Sequence, residues 1–132
     1  MVVDKKILDE LTEKAKANPR LRMNYDLRNS AEDGSQRMLN AIEPGSPMPI
    51  HRQRKTSETM ACLRGKLVVE YYDTDGTPRL VETIELSPNG PVVALNIPAG
   101  QWHTVRSAET GTVILEMKNG AYEPLSEEDV LK

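Results

Sequence analysis

Both histidines of this chain stand in patterned surroundings. His51 opens the run His51-Arg52-Gln53, with Gly45 ahead of it and Glu58 and Gly65 behind, so the spacing is G-x5-H-x-Q-x4-E-x6-G. His103 closes Pro98-Ala99-Gly100-Gln101-Trp102-His103, a P-x-G-x-x-H run. Residues two apart on a strand share a face, so His51 and Gln53 point together. A strand starting near Ser57 puts Glu58, Met60 and Cys62 on one face, and His103, on a later strand after the Pro98 turn, can point into the same cavity. Two imidazoles, one carboxylate and one amide make a donor set for a single divalent metal.

The donor types narrow the metal. His51, His103 and Glu58 form the two-histidine, one-carboxylate face of open-sided non-haem iron sites. Gln53 adds an amide oxygen, a harder and weaker donor, which disfavours copper and nickel. Zinc also accepts nitrogen and oxygen ligands and keeps a position for water or substrate. Zinc and iron(II) therefore fit about equally, and manganese less well. Gln53 either coordinates or hydrogen-bonds a bound water.

Other side chains have less definite readings. Arg52, Arg54 and Lys55 flank the first motif, and Arg22, Arg28, Arg37 and Arg106 add positive charge elsewhere. Gathered at a cavity mouth they would favour an anionic ligand, because guanidinium forks match carboxylate and phosphate oxygens; singly they are solvated charges. Arg52 alternates with His51 and Gln53 and should point away from the metal. Trp102 is a pocket wall or a packing anchor. Tyr72 and Glu116, with Glu70 and Tyr71, are candidate acids or bases, and no catalytic residue is assigned. Met38, Met48 and Met60 suit filling of the interior, and Cys62 a small buried hydrophobe.

The elements that position these residues are short. Ile7, Leu8, Leu11 and Ala15 recur at helical spacing, which predicts one amphipathic helix from Asp4, its N-cap, to Lys16. Asn18-Pro19 ends it. Strands are predicted at 37–43, 59–63, 66–72, 81–86, 92–97 and 112–118, with a hairpin turn at Asp73-Thr74-Asp75-Gly76 and a loop at Ser87–Pro91. Such regular spacing suggests a sandwich or barrel. Ser126-Glu127-Glu128-Asp129 predicts a capping-box start to a short C-terminal helix, 126–131.

With 132 residues the chain is expected to form one domain with one core. A net charge of -3 lacks the basic stripe of a nucleic-acid surface. The single cysteine excludes an intrachain disulfide and suggests a reducing compartment. Met1–Lys6 has no apolar run of a signal peptide and no stretch reaches membrane-span length, so a soluble, cytoplasmic protein is expected.

The paired motifs resemble the two-part signature of the cupin superfamily, with Gln53 in place of the second histidine of H-x-H, Val92 in place of the usual glycine ahead of Pro-x-Gly, and Ser107 in place of the usual final asparagine. Type I phosphomannose isomerases, also cupins, hold zinc with a Gln, His, Glu, His set, which supports Gln53 as a ligand. More of the chain is similar to the WbuC-family cupin metalloproteins of bacteria: Arg20–Tyr25, Gln36–Ala41, His51–Gly65, Pro98–Thr104 and Gly111–Tyr122 carry that likeness. The resemblance implies a mainly β, single cupin (double-stranded β-helix, or jelly-roll) barrel at 37–118 with an N-terminal helical segment at 1–19 and a short C-terminal helix. It implies a metal ligand set of His51, Gln53, Glu58 and His103 and a homodimer; read from the residues themselves, Trp102, Arg37, Tyr72 and Glu116 are expected to line the pocket. The function implied is metal-dependent chemistry, such as isomerisation, on a sugar or sugar nucleotide in O-antigen synthesis, with an anionic sugar derivative as ligand and neither nucleic acid nor membrane as partner. An iron(II) dioxygenase and a non-catalytic small-anion binding module over a structural metal are the alternatives.

Overall fold

The computed structural model describes residues 1–131. One helix, α1 (Lys5–Ala17), precedes eight strands: β1 (Arg22–Asp26), β2 (Ser35–Ile42), β3 (Glu58–Arg64), β4 (Leu67–Thr74), β5 (Pro78–Leu86), β6 (Ala94–Ile97), β7 (Trp102–Ser107) and β8 (Val113–Asn119). They form a five-stranded sheet in the order β1-β2-β8-β3-β6 and a three-stranded sheet in the order β5-β4-β7. Every pairing is antiparallel.

Alternation on β2 shows how the layers are built. Ile42 joins the core between the sheets with Met60, Cys62, Leu67, Val69, Leu86, Ile97, Val105 and Ile114. Leu39 and Ala41 turn the other way and pack with Leu11 and Ala15 of α1. The strand is thus covered on both faces. α1 starts as expected: the Asp4 carboxylate accepts from the Ile7 N–H at 3.1 Å, and Asn18 caps the end in extended backbone. Burying each large apolar side chain of this kind contributes about 1.5–3 kcal/mol. Arg64 ties the helix to the sheet, donating to Asp9 at 2.6 Å, Thr12 Oγ1 at 2.9 Å and the Gly111 carbonyl at 2.8 Å.

The tight corner after β3 needs Gly65. Its φ is +82°, and a Cβ there would lie 2.3 Å from Thr112 Oγ1. The expected hairpin joins β4 to β5, with Gly76 at φ +115° in its turn.

Two expectations are corrected. β1 lies outside the predicted strands; Arg-Met-Asn-Tyr-Asp has too few apolar residues for a pattern, and it is an edge strand paired only with β2. The C-terminal helix is reduced to a single 3₁₀ turn, Glu127–Asp129, without a side-chain cap at Ser126. The Ser126 hydroxyl donates instead to the Asp129 carboxylate at 3.0 Å. The backbone beyond it pairs with the first motif: Arg52 N–H donates to the Asp129 carbonyl at 3.0 Å and Leu131 N–H to the Ile50 carbonyl at 2.8 Å.

Candidate metal centre

His103 stands on β7 and is 1 % exposed. His51 lies in the irregular stretch between β2 and β3, yet it is fixed as firmly as a strand residue. Its N–H and carbonyl exchange hydrogen bonds with those of His103, both at 2.9 Å, and Val130 flanks it on the other side. The two imidazoles face each other with centroids 4.3 Å apart. Both rings are oriented by the backbone: Nδ1 of His51 meets the Pro49 carbonyl at 3.0 Å, and Nδ1 of His103 meets the Gln101 carbonyl at 2.9 Å. That assigns the proton to each Nδ1 and leaves each Nε2 with a lone pair, the arrangement that readies histidine for a metal.

A cavity of about 360 Å³ opens beside the His51 ring, and His103, packed against His51, does not line it. His51, Gln53, Glu58, Met60 and Glu116 line it. The strand register builds this wall: Glu58 of β3 is opposite Lys118 of β8, and Met60 is opposite Glu116. Across the other seam Met38 of β2 faces Glu116. Met38 and Met48 also line the cavity, and Met60 reaches it from the core.

The electrostatics follow from burial. Desolvation, helped by the nearby His51, lowers the His103 pKa to about 4. Desolvation also lowers that of His51. Burial, reinforced by the neighbouring Glu116 charge, raises Glu58 to about 7, with Lys118 opposing. Glu116 is likewise raised, chiefly by desolvation, against a hydrogen bond from Asn40 Nδ2 at 3.3 Å. His103 Nε2 and Glu58 Oε2 are 3.9 Å apart, which is too long for a hydrogen bond. Between pH 4 and 7 both groups are neutral, so their closeness is not an ion pair.

Among the described residues His103 Nε2 is buried with no hydrogen-bond partner. A buried, unpartnered nitrogen is costly unless something occupies its lone pair. Two donors each about 2.1 Å from one ion lie at most about 4.2 Å apart, and the 3.9 Å between His103 and Glu58 is within that span. The donor chemistry therefore fits a divalent ion. Among the described residues, no three His, Cys, Asp or Glu side chains form a ready cage; Gln53 and His51 complete the donors lining the cavity.

The remaining predicted residues divide clearly. Glu116 is in the cavity, whereas Arg37, Tyr72 and Trp102 do not line it. Arg37 bonds Asp33 and the Ser35 carbonyl, Tyr72 donates to Glu70 at 3.5 Å, and Trp102 carries the Arg52 guanidinium 4.4 Å above its ring. Tyr71, by contrast, packs against the core. Arg22, Asn40 and Lys118 line the cavity although no motif singles out Asn40 or Lys118. Their signal is a polar residue at an inward position, Asn40 between Met38 and Ile42 and Lys118 two after Glu116.

A family model described as Domain of unknown function (DUF6016) matches residues 3–86. The chain belongs to this family. The matched part holds His51, Gln53 and Glu58, and His103 lies beyond it. No curated protein matches the chain. Solved cupin-fold structures do. An oxalate oxidase in complex with the substrate analogue glycolate superposes with a TM-score of 0.62 at 18 % identity, over 80 % of this chain and 54 % of that one. The chain thus spans about half the length of that relative. The capsular polysaccharide assembling protein CapF from Staphylococcus aureus gives a TM-score of 0.57 at 19 % identity, covering 68 % of this chain and 24 % of its own. KdgF from Halomonas sp. gives 0.56 at 15 % identity, covering 80 % and 84 %. The likeness is one of fold: two antiparallel sheets in the cupin manner.

Proposed function

We propose that this family member is a metal-binding cupin acting on a sugar or sugar derivative in surface-polysaccharide assembly, by metal-dependent isomerisation. The observation that carries the metal is the buried, unpartnered Nε2 of His103 beside Glu58. His51, Gln53, Glu58 and His103 would hold it, and zinc or iron(II) suits their mixed nitrogen and oxygen donors, with manganese less suited. When bound, the ion supplies Lewis acidity toward a ligand carbonyl or hydroxyl. The polysaccharide context is supported by the likeness of fold to CapF and by the resemblance to WbuC-family cupins, which also suggests a homodimer.

The chain's own residues supply orientation and proton handling. The backbone carbonyls of Pro49 and Gln101 fix both imidazoles through Nδ1, and His51 lines the cavity. With both histidines engaged as donors, proton transfer falls to a carboxyl. Glu116 lines the cavity and its carboxyl is held above the ordinary carboxylate range by burial, which favours the protonated form that can give a proton to a ligand. Asn40 fixes its position.

The test is metal content by mass spectrometry of the purified, untagged protein beside His103→Ala and Gln53→Ala. Near-stoichiometric zinc or iron in the wild type, lost in His103→Ala and reduced in Gln53→Ala, is the expected result. Full metal in His103→Ala refutes the site. Solvent-deuterium incorporation into sugars then supports isomerisation, oxygen uptake by the iron form would move the assignment to a dioxygenase, and binding without turnover would move it to a binding module.

A further inference from the structure

Metal binding accounts for one of three unpartnered polar atoms in this region. Among the described residues, the buried atoms without hydrogen-bond partners are His103 Nε2, Asn40 Oδ1 and Arg22 Nε. Arg22 and Asn40 line the same cavity as His51 and Glu58. They stand on paired strands, Arg22 opposite Ile42 and Asn24 opposite Asn40.

The two atoms have opposite needs. Arg22 Nε is a donor on a cation, and the guanidinium is held by an Nη2 bond to the Pro47 carbonyl. Asn40 Oδ1 is an acceptor, because its Nδ2 is already given to Glu116. One ligand that satisfies both presents an anionic oxygen and, a short distance away, a hydroxyl. Lys118 lies on the same wall, half-buried, and forms no ion pair among the described residues. Arg20, Arg22 and Lys118 line this cavity together with two carboxyl groups, Glu58 and Glu116; a divalent ion at the histidines tips the balance further toward an anion. A carboxylate suits it better than a phosphate dianion, whose second charge would face those same glutamates.

We propose that the cavity binds a small hydroxycarboxylate, sugar acids included, with its carboxylate held by Arg22 and Lys118 and a hydroxyl donating to Asn40 Oδ1. The proposal rests on the cavity's reading as a metal-assisted ligand site, and it narrows the substrate class from sugars in general to acids.

Calorimetric titration of zinc-loaded and chelator-treated protein with D-glucuronate, D-glucose, glycolate, acetate and inorganic phosphate tests it. Glucuronate is expected to bind and glucose not to. Arg22→Gln should weaken glucuronate at least tenfold, Lys118→Gln a few-fold, and Arg22→Lys should restore part of the loss. Glycolate should bind more tightly than acetate in the wild type but not in Asn40→Ala, with circular dichroism confirming that each variant is folded. Equal binding of glucose and glucuronate, an unchanged affinity in Arg22→Gln, phosphate binding in preference to every carboxylate, or no hydroxycarboxylate binding at millimolar concentration would each overturn it. Arg22-dependent binding in a protein that takes up no metal refutes the metal centre and leaves the acid site standing.

Discussion

Glu58 makes the metal-free protein less stable than its sequence allows, and Glu58→Gln should reveal by how much. The carboxyl is buried beside Glu116, and its folded-state pKa is about 7 against an ordinary 4.5. A pKa raised on folding means that stability is fully present below the unfolded value and is lost as pH rises through the folded one. At 1.36 kcal/mol per pH unit, the interval from 4.5 to about 7 corresponds to about 3 kcal/mol lost by pH 8. An amide of the same shape avoids that loss. Chelator-treated wild type and Glu58→Gln should therefore unfold alike at pH 4.5, while at pH 8 the variant should be about 3 kcal/mol more stable, near 10 °C in Tm for a chain of this length. Neither histidine owes its lowered pKa to Glu58, so their contributions should cancel in the difference. Zinc at 1,000 times its Kd should reverse the order at pH 8, because it adds about 4.1 kcal/mol to the form that binds it. Urea unfolding at the two pH values reads the metal-free difference directly. A Glu58→Gln protein that is less stable than wild type at pH 8, or a difference that does not change between pH 4.5 and 8, would refute the buried-carboxylate account.

Two further outcomes are expected. Zinc must displace the Glu58 proton, so affinity measured by chelator competition should rise about tenfold per pH unit from 5 to 7 and level off above the value of about 7; a flat profile would remove Glu58 from the ligand set. Gly65→Ala should cost about 3 kcal/mol or more in urea unfolding, since its Cβ would meet Thr112 Oγ1 at 2.3 Å and Thr112 Cα at 2.7 Å at a φ of +82°. A loss below about 1 kcal/mol would show that the corner can relax.

What could be read from the sequence was local. The helix is legible because Ile7, Leu8, Leu11 and Ala15 repeat with its period and Asp4 sits where a cap is needed. The first motif is legible because His51, Gln53 and Glu58, close together in the chain, also meet at one cavity. Arg22 and Asn40 were not assigned to that cavity because their role depends on a β1–β2 pairing that five mostly polar residues do not announce. The C-terminal turn was misread for a related reason. Ser126-Glu127-Glu128-Asp129 has the composition of a helix start, but Asp129 is engaged by Arg52 and Arg54 at 3.0 Å and 2.7 Å, and the backbone there bonds residues 50 and 52. Long-range partners decided both cases.

The double flanking of His51 also bears on the order in which the chain folds. Its backbone neighbours are His103 and Val130, so one histidine is held by segments separated from it by roughly two-fifths and three-fifths of the sequence. Contacts of such separation form late and slowly. During synthesis the last of them cannot form until the residues around Val130 have left the ribosome, long after Gln53 and Glu58 have done so. At the proposed centre, tight capture of an ion would then require the docked chain: a partly folded chain would offer scattered donors, and metal uptake would report the docking of the segment around Val130.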